Sequence, residues 1–149
     1  MMKRLKYVSR FAEPMTSKEI WKLTARASKK NQEMDVTGVL MTSGGVFFQV
    51  IEGPAENIDQ LYSAIVQDKR HVDVLLLGVE ENVETRLYPD WSMQRIDLDE
   101  SANIRTEPIK TLLNVILQQR KSLEEMTATL ERSVWHELQN LTTKPAPEE

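Results

Sequence analysis

The chain has 149 residues, 40% of them apolar, a formal net charge of −4 and no cysteine. That supports one folded domain with a short appendage and argues against non-specific nucleic-acid binding, which needs clustered Lys and Arg to neutralise phosphates. Without cysteine there are no disulfides, no thiolate metal sites and no Cys nucleophile.

The start, Met1-Met2-Lys3-Arg4, leads into strand-like alternation and not into a signal-peptide apolar core. No apolar run approaches the ~20 residues that span a bilayer, so a soluble, cytoplasmic protein is expected. Leu5 to Ser9 reads as a first strand, with Leu5, Tyr7 and Ser9 on one face at a period of two. Thr16 and Glu19 form a capping box that opens a helix. Ile20, Leu23 and Ala27 make its apolar stripe, with Trp21 and Thr24 beside it. The helix is expected to end near Lys29-Lys30-Asn31, with Asn31 as its C-cap.

Val36 to Thr42 is a second strand, and Ser43-Gly44-Gly45 signals a tight hairpin into Val46–Ile51. Within that third strand Gln49 is a primary amide among apolar neighbours, and a buried amide without partners costs about 1–3 kcal/mol. Pro54 is placed at the first turn of a second helix with the stripe Ile58, Leu61, Ile65, closing at Asp68-Lys69-Arg70-His71. His71 and His136, the two histidines, show no metal-ligand spacing. Asp73 to Val79, a continuous Val-Leu run, predicts a strand buried on both faces. After the turn at Tyr88-Pro89-Asp90, Trp91 to Ile96 alternates as a last strand, with Trp91, Met93 and Arg95 sharing a face.

The order β-α-β-β-α-β-β predicts an α+β, ferredoxin-like sandwich with one extra strand. In it the first and third strands are neighbours, which sets Tyr7 beside Gln49, facing the two helices. The domain is expected over residues 1–98, a linker over 99–107, and a C-terminal helix over 108–141. A disordered tail is expected at 142–149. Along the helix Ile109, Leu112, Ile116, Leu123, Met126 and Leu130 keep a heptad rhythm that Gln119 interrupts. Val134, Leu138 and Leu141 continue it after an offset. A stripe this long predicts a coiled-coil seam and hence a homodimer.

Tyr7, Gln49 and Asn31 converging on the apolar walls Leu23, Ile65 and Phe47 suit a flat, hydrogen-bonding heterocycle. Lys29, Lys30 and Arg70 near the helix ends suit its phosphate. A polar core in which these groups satisfy one another fits the same residues. So does a ligand-free dimerisation adaptor. An acylphosphatase-like enzyme would need an Arg in the glycine-rich turn, and Ser43-Gly44-Gly45 has none.

Taken together and in order, several segments resemble the BLUF domain, the blue-light sensor that uses flavin. They are Tyr7 with Ser9, Asn31-Gln32, Thr37-Gly38-Val39-Leu40, Phe47-Phe48-Gln49-Val50-Ile51-Glu52-Gly53, Asp68-Lys69-Arg70-His71 and Trp91-Ser92-Met93. The resemblance covers roughly residues 2–98. The helix opening Pro108-Ile109-Lys110-Thr111-Leu112-Leu113 is most similar to the sensors that precede an adenylyl cyclase in photoactivated cyclases.

The resemblance implies FAD, FMN or riboflavin held non-covalently between the helices. Tyr7 would be the electron and proton donor to the excited flavin. Gln49 would bond Tyr7 and flavin, then rotate or tautomerise, shifting absorption to the red. Asn31 would hold the imide edge, and Leu23, Ser28, Lys30, Phe47, Ile65, Arg70 and Met93 would complete the site. The hydroxyl that some cyclase relatives carry at the position of Ala27 lies one place later, at Ser28. Trp91 and Met93 would relay the change to the C-terminal helix, which would regulate an effector domain or partner protein. Such a module is a switch and not an enzyme, and neither nucleic acid nor membrane is an expected partner.

Overall fold

A computed structural model describes residues 1–99 and 106–143. The chain divides into two compact units, Met1–Ala102 and Asn103–Glu149.

In the first unit the elements are β1 (Met2–Phe11), α1 (Ser17–Glu33), β2 (Thr37–Ser43), β3 (Val46–Pro54), α2 (Ala55–Gln67), β4 (His71–Val83) and β5 (Gln94–Asp97). The sheet has the order β4-β1-β3-β2-β5, a ferredoxin-like arrangement with β5 added parallel to β2. The β1–β3 register sets Tyr7 opposite Gln49. Gly44 and Gly45 turn the β2–β3 hairpin at positive φ, 52° and 82°, where a Cβ would be strained.

The core lies between the sheet and the two helices. Leu5, Tyr7, Phe47 and Ile51 point up from the sheet to meet Ile58 and Leu61 of α2. Burial of one such aliphatic side chain is worth about 2 kcal/mol. The predicted capping box is formed: Glu19 N–H donates to Thr16 Oγ1 at 3.2 Å, and Thr16 N–H to Glu19 Oε2 at 3.1 Å.

Several boundaries differ from the sequence reading. α1 runs a turn further, so Asn31 is helical and Met34 takes the C-cap; the left-handed residue is Asp35, at φ 54°. Pro54 is the N-cap of α2 and stands just before its first turn. β4 is longer than expected and is an edge strand. Val72, Leu76 and Val79 on it are each more than 40% exposed, so its apolar run is not a doubly buried one. The last strand begins only at Gln94. Trp91 to Met93 form no ladder, the period of two does not apply to them, and Trp91 is exposed while Met93 is buried.

The second unit contains α3 (Thr106–Thr143). Leu112, Leu123, Met126, Leu130, Val134, Leu138 and Leu141 along it are exposed, as is Trp135. Most of the expected linker, and residues 144–149 of the expected disordered tail, lie outside the described residues. No described helix is long and apolar enough to cross a membrane.

Candidate functional site

A cleft of about 260 Å³ opens between α1 and α2. Its floor is the inner face of the sheet, where the period of two turns Tyr7 of β1 and Phe47 and Gln49 of β3 upward. Its walls are Leu23 and Ala27 of α1 and Leu61 and Ile65 of α2.

At the floor, Tyr7 Oη donates to Gln49 Oε1. Both residues are buried. The Gln49 Nε2 group donates to Met93 Sδ at 3.4 Å, and a thioether is a weak acceptor. A buried amide N–H held only by sulfur can gain from a carbonyl placed in the cleft. Burial pushes the Tyr7 phenol up, and the neighbouring Tyr62 and Asp68 reinforce it, so Tyr7 is a neutral donor across the working pH range.

Asn31, 1% exposed, also faces the cleft; its Nδ2 donates to Ser92 O at 2.8 Å. At the mouth stand Arg26, Lys30 and Arg70, three cations against the single carboxylate of Asp68. Arg70 grips Asp68 through Nε at 3.0 and 3.1 Å and Nη2 at 2.5 Å, and holds its carboxyl down at about 2. Ser9 Oγ lies 2.8 Å from His71 Nδ1, and the imidazole packs 4.8 Å from the Phe47 ring. Burial lowers the His71 pKa, with Arg70 adding to it and Asp68 opposing, so the ring is neutral near pH 7.

Tyr7, Leu23, Lys30, Asn31, Phe47, Gln49, Ile65 and Arg70 thus meet around one cleft. Ser28 and Met93 do not line it: they border a shallow groove behind α1, with Trp21. Ser28 Oγ bonds Ser92 Oγ. Met93 reaches the cleft floor only through Gln49. Trp91 is 44% exposed and stacks on Tyr88 at 6.1 Å and 17°. Lys29 is exposed and does not line the cleft.

Three contributors escape the sequence reading. Arg26 was legible, because it lies three residues after Leu23 and four before Lys30 on one helix face. His71 follows Arg70 directly and was read only as part of the Asp68-Lys69-Arg70-His71 segment, with no role of its own. Ser92, which bonds both Ser28 and Asn31, carries no signal beyond its place between Trp91 and Met93.

The fold is a ferredoxin-like domain with a polar-floored, apolar-walled cleft between its two helices. Residues 2–94 match the family model "BLUF: Sensors of blue-light using FAD". The chain belongs to the BLUF family. It is 38% identical over 77 residues to the blue light- and temperature-regulated antirepressor BluF of Escherichia coli, a match covering 52% of this chain and 19% of that one. It is 29% identical over 121 residues to the photoactivated adenylate cyclase subunit beta of Euglena longa, covering 80% of this chain and 14% of that one. A solved bacterial light-regulated adenylyl cyclase superimposes with a TM-score of 0.78 at 39% identity, over 84% of this chain and 36% of that one. The chain therefore spans less than a fifth of these curated relatives.

Proposed function

We propose that the chain is a cytoplasmic blue-light photoreceptor that holds a flavin non-covalently in the α1–α2 cleft and signals through α3. The observation that carries this reading is the Tyr7–Gln49–Met93 chain at the cleft floor. The residues fit the group. Asn31 and Gln49 offer amide edges to an imide, Leu23, Ile65 and Phe47 offer apolar faces, and Lys30 and Arg70, with Arg26, await phosphate. The flavin is FAD, with FMN or riboflavin satisfying the same polar floor.

A bound flavin supplies blue absorption and an electron-accepting excited state. Tyr7 would be the electron donor, passing its Oη proton along the bond to Gln49 Oε1, and would regain both electron and proton as the amide settles in its new form. Gln49 then rotates or tautomerises. Rotation trades the Tyr7 Oη–Gln49 Oε1 bond for one that Gln49 Nε2 donates to Tyr7 Oη, and otherwise gives up only a bond to sulfur, so its two orientations lie close in energy, as a switch requires. Turned, the amide presents its oxygen to Met93, which has no proton to give. The Trp91–Met93 segment loses that hold, and β5, which follows it, carries the change toward α3. No substrate is turned over; an effector such as an adenylyl cyclase is the output.

The Tyr7–Gln49 bond would also serve a ligand-free dimerisation adaptor, and colour separates the two. Protein purified from flavin-replete cells is expected to be yellow and to shift its absorption reversibly to the red under blue light. A colourless protein overturns the reading.

The exposed apolar stripe on α3 supports a second copy as the partner, joined in a coiled coil. Truncation after Glu107 is expected to convert dimer to monomer by light scattering while leaving the flavin bound. A truncated protein that stays dimeric places the seam elsewhere.

A further inference from the structure

On β3, three residues past Gln49, Glu52 is fully buried. It points to the opposite face of the strand from Gln49 and plays no part in the cleft. A buried carboxylate needs partners, and every partner here is a donor. Arg4 Nε reaches Oε2 at 2.9 Å, the Leu87 N–H reaches Oε2 at 3.1 Å, and the Tyr88 N–H reaches Oε1 at 2.5 Å. Two successive backbone amides closing on one anion form a small anion nest. Arg4 extends the clamp by donating to Thr85 O at 2.9 Å and Glu80 Oε2 at 2.7 Å.

What the clamp holds leads back to the site. Tyr88, whose amide it grips, stacks on Trp91. Trp91 O accepts from Gly38 N–H at 2.9 Å. Ser92 is tied to α1 by Ser28 and Asn31. Met93 then lies on Gln49 Nε2. One strand therefore touches both ends of the 85–93 segment, through Glu52 at its start and Gln49 at its finish.

We propose that Glu52 is a positioning residue: by fixing the Leu87–Tyr88 turn on β3 it holds Trp91 at the surface and Met93 on Gln49. This deepens the photoreceptor reading, on which the importance of Met93 rests. Glu52→Gln is a sharp probe, because three donors face the side chain. The new amide must set its own N–H₂ against one of them, which breaks that link. Tyr88→Leu keeps the clamp and removes the stack.

The test labels the full chain with 5-fluorotryptophan and, separately, with ¹³C-methyl methionine, and reads the dark protein by NMR. Trp91→Phe and Met93→Leu assign the two signals. In Glu52→Gln both the Trp91 and the Met93 signals are expected to shift and broaden, while Trp21 and Trp135 stay in place. Tyr88→Leu is expected to move the same two, and it decides the matter if Glu52→Gln does not fold. Ile58→Val, a loss of core volume away from the segment, is expected to lower thermal stability and move neither. Signals unmoved in the Glu52 and Tyr88 variants overturn the proposal. So does movement of Trp91 with Met93 unmoved, since the clamp then ends at the loop. These signals need no photochemistry, so a colourless protein would sink the flavin reading while leaving this test intact.

Discussion

Tyr7→Phe is expected to give a protein that is still yellow and no longer shifts to the red under blue light. Phe fills the same buried place, 5.9 Å from the Tyr62 ring, so the floor of the cleft is preserved. Only the hydroxyl is lost, and with it the proton that Tyr7 gives to Gln49 Oε1. At 1% exposure no water replaces it. Gln49→Leu removes the other half of the pair and is expected to abolish the shift equally, because without the amide nothing can exchange donor for acceptor. The effect is total in both, since the two groups act as one unit and neither has a substitute. Trp21 and Trp91, 64% and 44% exposed, stand outside the cleft lining, and an electron taken by the flavin from either would come without a proton passed to Gln49. Transient bleaching without a red shift is therefore compatible with the assignment. A steady-state red shift of wild-type size in either variant, read by difference absorption, contradicts it.

The parts of the site that were legible in the sequence are those set by a regular period. Strand alternation and the adjacency of β1 and β3 were enough to place Tyr7 against Gln49, and the register sets them opposite each other. Helix periodicity put Leu23 and Ala27 on one stripe, and both line the cleft; Lys30 and Asn31 were placed there only as helix-end residues, although α1 runs on to Glu33. What could not be read lies where the backbone is irregular. The alternation of Trp91, Met93 and Arg95 suggested a shared face, but the first two precede the ladder, and one is exposed while the other is buried. Ser28 resembles a cofactor contact by position, yet its hydroxyl bonds Ser92 behind the helix. Glu52 stands one place beyond the predicted strand Val46–Ile51, and β3 runs on through it to Pro54. Two of its partners, however, are the main-chain amides of Leu87 and Tyr88, which no side-chain pattern reports. Propensity and period describe elements, whereas bonds from a side chain to a distant turn depend on the finished fold.

Gly38→Ala is expected to have the largest effect on stability of any single methyl group added to the sheet. Gly38 sits in β2 opposite Ile51, in the β2–β3 register that also sets Leu40 against Gln49. A Cβ there would lie 2.0 Å from Val50 O and 3.0 Å from Val50 C. Both atoms belong to the backbone of β3, so no rotamer change relieves the clash; the strands themselves must part. The same residue donates its N–H to Trp91 O, so parting β2 from β3 also disturbs the segment that leads to Met93. The cost belongs among the large single-site values, about 4 kcal/mol or more, out of a total of about 5–15 kcal/mol for a domain. That corresponds to a fall in Tm of about 15 °C or to loss of soluble, coloured protein. Gly44→Ala is the contrast. Its Cβ would meet nothing within 4 Å, and only the positive φ of 52° opposes it. A left-handed residue costs about 1–2 kcal/mol, so this variant should fold, bind flavin and melt only a few degrees lower. Side-by-side thermal melts decide the point, and a Gly38→Ala protein as stable as Gly44→Ala would mean that β2 and β3 can separate far more freely than their register implies.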